Sequence, residues 1–149
     1  MSEDRQLTLH TPALSGEQEL LVLRLDAREA LSKLYEYDAL LYARSDSVDF
    51  DQVLGKEMSI GLTLPPSKNE RYFHGYVAGF ASVGVQGDFS LYRAQIRPHL
   101  WRLTRATNSR AFQNKTVPQI IEHVLKEHGI ANVEHHLGEG NRSPYLPWD

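Results

Sequence analysis

Apolar side chains fall at every second position through much of residues 19–97, and this spacing constrains the chain more than any other feature. In an extended backbone, successive side chains point to opposite faces. A period of two therefore puts one face on a core and the other in water. In "ELLVLRLDA" (19–27), Leu21, Leu23, Leu25 and Ala27 share a face. In "YEYDALLYA" (35–43), Tyr35, Tyr37, Ala39 and Leu41 stand against Glu36, Asp38 and Leu40. In "EMSIGLTL" (57–64), Met58, Ile60, Leu62 and Leu64 face one way.

Two longer strands follow, 71–82 and 88–97. Between them "VGVQGD" (83–88) supplies Gly84 and Gly87, which predicts a hairpin. Gly75 and Gly79 inside the first strand predict bulges or strong bending, as in a closing barrel. Pro98 cannot donate to a ladder and ends the second.

Helical signals are fewer. Residues 49–55 and 99–104 are each long enough for a turn or two, the first opened by Asp49 and closed by Gly55. The main helix is predicted over 117–128, where Val117, Ile120, Ile121, Val124 and Leu125 recur at i, i+3, i+4, i+7 and i+8. Thr116 with Gln119 three residues on forms a capping box, Pro118 falls in the first turn, and Gly129 follows the end. Residues 130–149 show turn residues and prolines without periodicity, and the aromatic "YLPWD" end reads as a truncated piece. The pattern is α+β, mostly β: a bent antiparallel sheet or partial barrel with one main amphipathic helix. It is read as one domain over 1–149, with strands about 19–97, the main helix about 117–128 and an irregular tail 130–149.

The absence of cysteine removes disulfides, cysteine-ligated zinc and a cysteine nucleophile together. No apolar run approaches the length of a membrane span, and "MSEDRQLTLH" lacks the apolar segment of a cleaved leader. Seven histidines raise the question of a metal. His123 and His128 lie five residues apart, about 140° around a helix, so they do not converge on one ion. Adjacent His135 and His136 face opposite ways in an extended segment. Ser32, Ser59, Ser82 and Ser109 sit in no nucleophile elbow, and Asp46, Asp49 and Asp51 are expected to cap and solvate a turn. No glycine-rich phosphate loop opens a helix. No catalytic, cofactor or metal residues are assigned, and the chain is read as non-enzymatic.

Charge is uneven. Residues 1–70 hold 7 basic and 13 acidic side chains, whereas 71–149 hold 9 and 6. Arg93, Arg97, Arg102, Arg105, Arg110 and Lys115 form a block without an intervening carboxylate. Such a block fits an acidic partner or subunit surface. Interleaved with Tyr92, Trp101 and Phe112, it also fits a small basic barrel binding single-stranded nucleic acid. The net charge of −3 and the acidic N-terminal half weigh against that alternative.

"RYFHGYVAGF" (71–80) and "RPHLWRLTRATNSRAFQNKTVPQIIEHVLKEHG" (97–129), in this order, resemble the VgrG family, the Rhs-element Vgr spike proteins of type VI secretion. The segment 15–62 resembles the family's N-terminal part, and the likeness runs over residues 7–137. Ala111 replaces a bulkier aliphatic residue and His99 an aromatic one, which touches local packing only. The resemblance implies a sheet or partial barrel of the phage tail hub type. It implies a structural role in a homotrimeric tip that joins the tube to a needle and helps deliver effectors. The implied partners are sister copies, the tube protein and the baseplate, with no membrane and no cofactor. The implied route is assembly in the bacterial cytoplasm and export by the machine without a signal peptide. On this reading the basic block faces a neighbouring protomer or the baseplate, and the apolar residues of 117–125 anchor the helix on the barrel.

Overall fold

The computed structural model describes residues 6–12, 19–44, 46–64, 69–130, 133–134 and 136. The chain divides into two compact units, Met1–His99 and Leu100–Asp149. That boundary falls just past Pro98, and the single-domain reading does not mark it. Most of the tail at 130–149 lies outside the described residues.

The first unit is a six-stranded antiparallel sheet. Its strands are β1 (Leu7–His10), β2 (Leu21–Arg28), β3 (Glu36–Ala43), β4 (Glu57–Leu64), β5 (Asn69–Gln86) and β6 (Phe89–Arg97), in the order β1-β4-β5-β6-β3-β2. The sheet curls until the edge strands β1 and β2 lie near each other, which makes a half-barrel. The strict alternation of β3, β4 and β6 builds its lining. Tyr37, Ala39, Leu41 and Ala43 meet Met58 and Ile60 and, from β6, Tyr92, Ala94 and Ile96, all buried. The β3–β6 register sets Ala39 opposite Ala94 and Leu41 opposite Tyr92, so small residues face small and large face large across the pair.

Two expectations change. In β2 the register slips between Val22 and Arg24, leaving Leu23 as an extra residue. A bulge reverses the alternation beyond it. Val22 and Leu25 therefore pack on the core and Leu23 is half exposed; Ala27, on the Leu25 face toward the strand end, is exposed. In β4, Met58 and Ile60 are buried, but Leu64 lies at the exposed strand end.

β5 is long because it serves two neighbours. It pairs with β4 from Asn69 to Tyr76 and with β6 from Tyr76 to Gln86. Register shifts fall at Val77/Gly79 and Ser82/Gly84, leaving Ala78 and Val83 as extra residues, so one bulge lies beside Gly79 and a second beside Gly84. Gly75 has a different duty. A Cβ there would lie 2.6 Å from the Arg97 carbonyl oxygen and 2.8 Å from Ile96 Cγ2, so the absent side chain lets β5 pass over the end of β6. The hairpin turns at Gly87–Asp88, with Gly87 at φ 59.

A 3-10 turn, Phe50–Gln52, follows Asp49, whose carboxylate accepts from the Asp51 backbone N–H. The turn is fastened to β5 by Gly55 N–H to the Val77 carbonyl (2.8 Å) and Val77 N–H to the Lys56 carbonyl (2.9 Å). Val48 and Val53 enter the core on either side of it. Phe50 packs edge-on against Phe80 and Tyr92, which stack on each other at 5.4 Å.

A second 3-10 helix, His99–Arg105, crosses the unit boundary. The second unit contains α1, Val117–Glu127. The Thr116 hydroxyl accepts from Gln119 N–H at 3.5 Å, and the Gln119 side chain accepts from Thr116 N–H at 2.8 Å. The C-terminus closes with Gly129 at φ 73, Gly129 N–H on the Lys126 carbonyl and Ile130 N–H on the Leu125 carbonyl. That reciprocal pair is the Schellman pattern, which glycine enters without a Cβ penalty.

Candidate interface surfaces

The six basic residues of the sequence block divide between the two units. Arg93 and Arg97 belong to β6, whereas Arg102, Arg105, Arg110 and Lys115 belong to the second unit. Asp38 on β3 stands opposite Gln95, so the ladder diagonals bring both β6 arginines to it. Arg93 reaches Asp38 Oδ1 at 3.4 Å and remains largely exposed. Arg97 is a correction: it is 9 % exposed. Its guanidinium donates to the backbone carbonyls of Tyr37 (3.1 Å) and Ile96 (2.9 Å) and lies 3.9 Å from Asp38 Oδ2. It ties β3 to β6 and offers nothing to a partner.

In the second unit, Arg105 lies over the Trp101 ring at 5.3 Å, and Arg102 also has an internal contact. Arg110 pairs with Glu127 at 2.6 Å. Its guanidinium holds the Glu127 carboxyl below the ordinary carboxylate range, with smaller help from His123 and His128. Phe112 lies beneath Arg110 at 5.9 Å and Lys115 at 5.7 Å, and the His123 ring meets it edge-on at 5.8 Å. His123 Nε2 lies 3.4 Å from Glu127, whereas His128 Nδ1 lies 2.9 Å from the Val124 carbonyl, so the two rings diverge.

The helix residues also separate. Leu125 is buried, and Ile120 and Val124 are half-buried. Val117 and Ile121, expected in the core, are 36 % and 47 % exposed. Ile121, between the half-buried Ile120 and Val124, is left open among the described residues.

The opposite, polar face of α1 forms a groove that sequence reading did not pick out. Asn114, Lys115, Gln119, Glu122, His123 and Lys126 line an open volume of about 440 Å³. Asn114 stands at φ 54, which brings Lys115 back toward Phe112 and the helix. Lys115 and Lys126 have no ion pair among the described residues. The signal was faint because Lys126 stands apart from the block and its turn partners are separated by a helix start.

On the first unit, Glu29 accepts from the Tyr37 hydroxyl at 2.5 Å and from Arg71. These hydrogen bonds, that from Tyr37 foremost, hold the Glu29 carboxyl below its ordinary value. Burial, with the Glu29 bond second, raises the Tyr37 hydroxyl far above the usual tyrosine range. Tyr35 stacks on Tyr37 at 4.6 Å, and Arg71 covers Phe73 at 4.8 Å. The network links β3 to β5 through Glu29. Among the described residues no three His, Asp or Glu side chains gather as metal ligands, and no helix is long and apolar enough to cross a membrane.

The described residues thus form a curled antiparallel half-barrel in the first unit and a capped helix in the second. Residues 28–148 match the phage tail baseplate hub (GPD) family, and the chain belongs to it. It is 38% identical over 134 residues to the type VI secretion system spike protein VgrG1a of Pseudomonas aeruginosa, and 37% identical to VgrG1c of the same organism. These matches cover 90% of this chain but only 20% and 18% of those relatives. Among solved structures, the Escherichia coli c3393 protein superposes with a TM-score of 0.71 at 25% identity, over 95% of this chain and 37% of its own. That protein is described as a type VI secretion component with structural similarity to the T4 bacteriophage tail proteins gp27 and gp5.

Proposed function

We propose that this chain is the N-terminal hub portion of a trimeric type VI secretion spike. It is a structural part that joins the tube to the needle, helps deliver effectors, and makes or breaks no bond itself. The observation that carries this reading is the agreement of two independent likenesses over nearly the whole chain: the hub family over 28–148 and the c3393 fold over 95% of its length. Its partners on this reading are sister copies, the tube protein and baseplate components, with assembly in the cytoplasm and export by the machine itself.

The nucleic-acid alternative has no support. Arg97 is buried, Arg93 and Arg110 are paired with carboxylates, and the relatives named above are described as secretion spike proteins. A chimera tests the proposal. Residues 7–137 replace the matching segment of VgrG1a in Pseudomonas aeruginosa, and release of spike and tube protein into the medium is measured. The proposal expects release well above that of a strain lacking the spike. A stable, well-expressed chimera that releases neither protein overturns it.

A further inference from the structure

We propose that the groove on the polar face of α1 receives the acidic turn at residues 46–51 of a second copy of this chain, in a head-to-tail contact. The inference takes from the preceding reading only that the partner is a sister copy; the two surfaces are read from charge and geometry.

The groove sets Lys115 and Lys126 against one lining carboxylate, Glu122. His123, also in the lining, is already engaged by Glu127 at 3.4 Å. Gln119 and Asn114 add amide donors at the rim. The groove is therefore cationic even with His123 neutral, and it fits an acidic loop rather than a helix or an apolar segment. Coulomb attraction at such a surface steers and orients a partner more than it strengthens the complex.

The same chain presents a matching turn. Asp46, Asp49 and Asp51 fall between Arg44 and Lys56 with no intervening lysine or arginine. Asp49 has internal partners, since it accepts from the Asp51 N–H and from the Gln52 amide, both at 3.0 Å. Asp46 and Asp51 are exposed, and their carboxylates have no ion pair among the described residues. Phe50 (40 % exposed) and Leu54 (49 % exposed) supply an apolar rim beside them. The turn is a rigid ligand, fastened at Gly55 and Lys56 to Val77 and seated by Val48 and Val53. Little conformational freedom is lost when it docks. Because donor and acceptor surfaces differ, each copy uses both once. A contact of this kind closes into a ring when its rotation allows.

The test uses the whole chain and four samples: wild type, Lys115→Glu/Lys126→Glu, Asp46→Lys/Asp51→Lys, and an equimolar mixture of the two variants. Self-association is measured by sedimentation velocity at about 50 mM and about 500 mM salt, where screening differs several-fold in length. Wild type is expected to associate at low salt and to dissociate at high salt. Each variant alone is expected to lose about tenfold or more in association. The mixture is expected to recover association, because each variant retains one intact surface and the two reversed surfaces complement each other. Lys115→Gln/Lys126→Gln, a gentler change, should move in the same direction, and thermal melts should establish that the variants are folded. Three results overturn the proposal: a wild-type chain that stays monomeric at low salt, variants that associate as wild type does, or a mixture that recovers nothing. If wild type associates and the variants match it, the hub reading survives with its interface elsewhere.

Discussion

Replacing Gly75 by alanine should damage this fold out of proportion to the size of a methyl group. The added Cβ would lie 2.6 Å from the Arg97 carbonyl oxygen and 2.8 Å from Ile96 Cγ2. Ile96 is fully buried, and Arg97 is held by its own bonds to Tyr37 and Ile96. Neither neighbour can move aside without opening the crossing of β5 over β6. Overpacking of this kind costs about 1–3 kcal/mol. Alanine also restricts the unfolded chain, which returns about 0.4–1 kcal/mol, so a net loss of roughly 1.3 kcal/mol is expected. With a urea m-value of about 2 kcal/mol/M, the midpoint should fall by about 0.6 M. Gly79→Ala is the internal control. There the nearest atom is the Gln95 Oε1 at 2.7 Å, the far end of a flexible side chain that can swing away. Its midpoint should move by less than about half as much. Equal shifts for the two variants, or a larger one for Gly79→Ala, would refute the argument that a backbone approach demands Gly75.

Ile60→Ala, at a fully buried site on β4, should destabilise the first unit by about 2–5 kcal/mol in urea unfolding, through lost transfer energy and an unfilled cavity. Thr116→Ala should cost about 1 kcal/mol of helix stability, seen as earlier loss of amide protection in α1, while Thr116→Asn should cost little. Glu29 has a depressed pKa in the folded state, so its contribution is present above the unfolded value and is lost as pH falls through the folded one. Glu29→Gln should therefore be less stable than wild type at pH 7, and the gap should shrink below about pH 4; a gap independent of pH contradicts the Tyr37–Glu29–Arg71 network.

What the sequence disclosed depended on how local the cause was. The cap at Thr116, the close at Gly129 and the alternation of β3 and β6 are set within a few residues, and the structure contains each of them. β1 is four residues of "LTLH" that gain meaning only when paired to β4, so nothing local announces it. β2 misleads because a bulge at Leu23 cannot be seen in a period-two pattern. Gly75 and Gly79 look alike in sequence, yet one meets a carbonyl and the other a swinging amide. The basic block looked continuous because charge was counted along the chain. Across the ladder, Asp38 captures two of its members, and from the helix end Glu127 captures another. The groove combines residues on both sides of a helix start, so its charge appears only once the turn at Asn114 is folded.

Electron cryo-microscopy of the spike purified from the chimera tests the central claim most directly. The account predicts three copies of a curled six-stranded sheet arranged around the needle axis at the end that meets the tube. An assembled spike in which this segment hangs outside the axial body, or forms no ordered sheet, would contradict it.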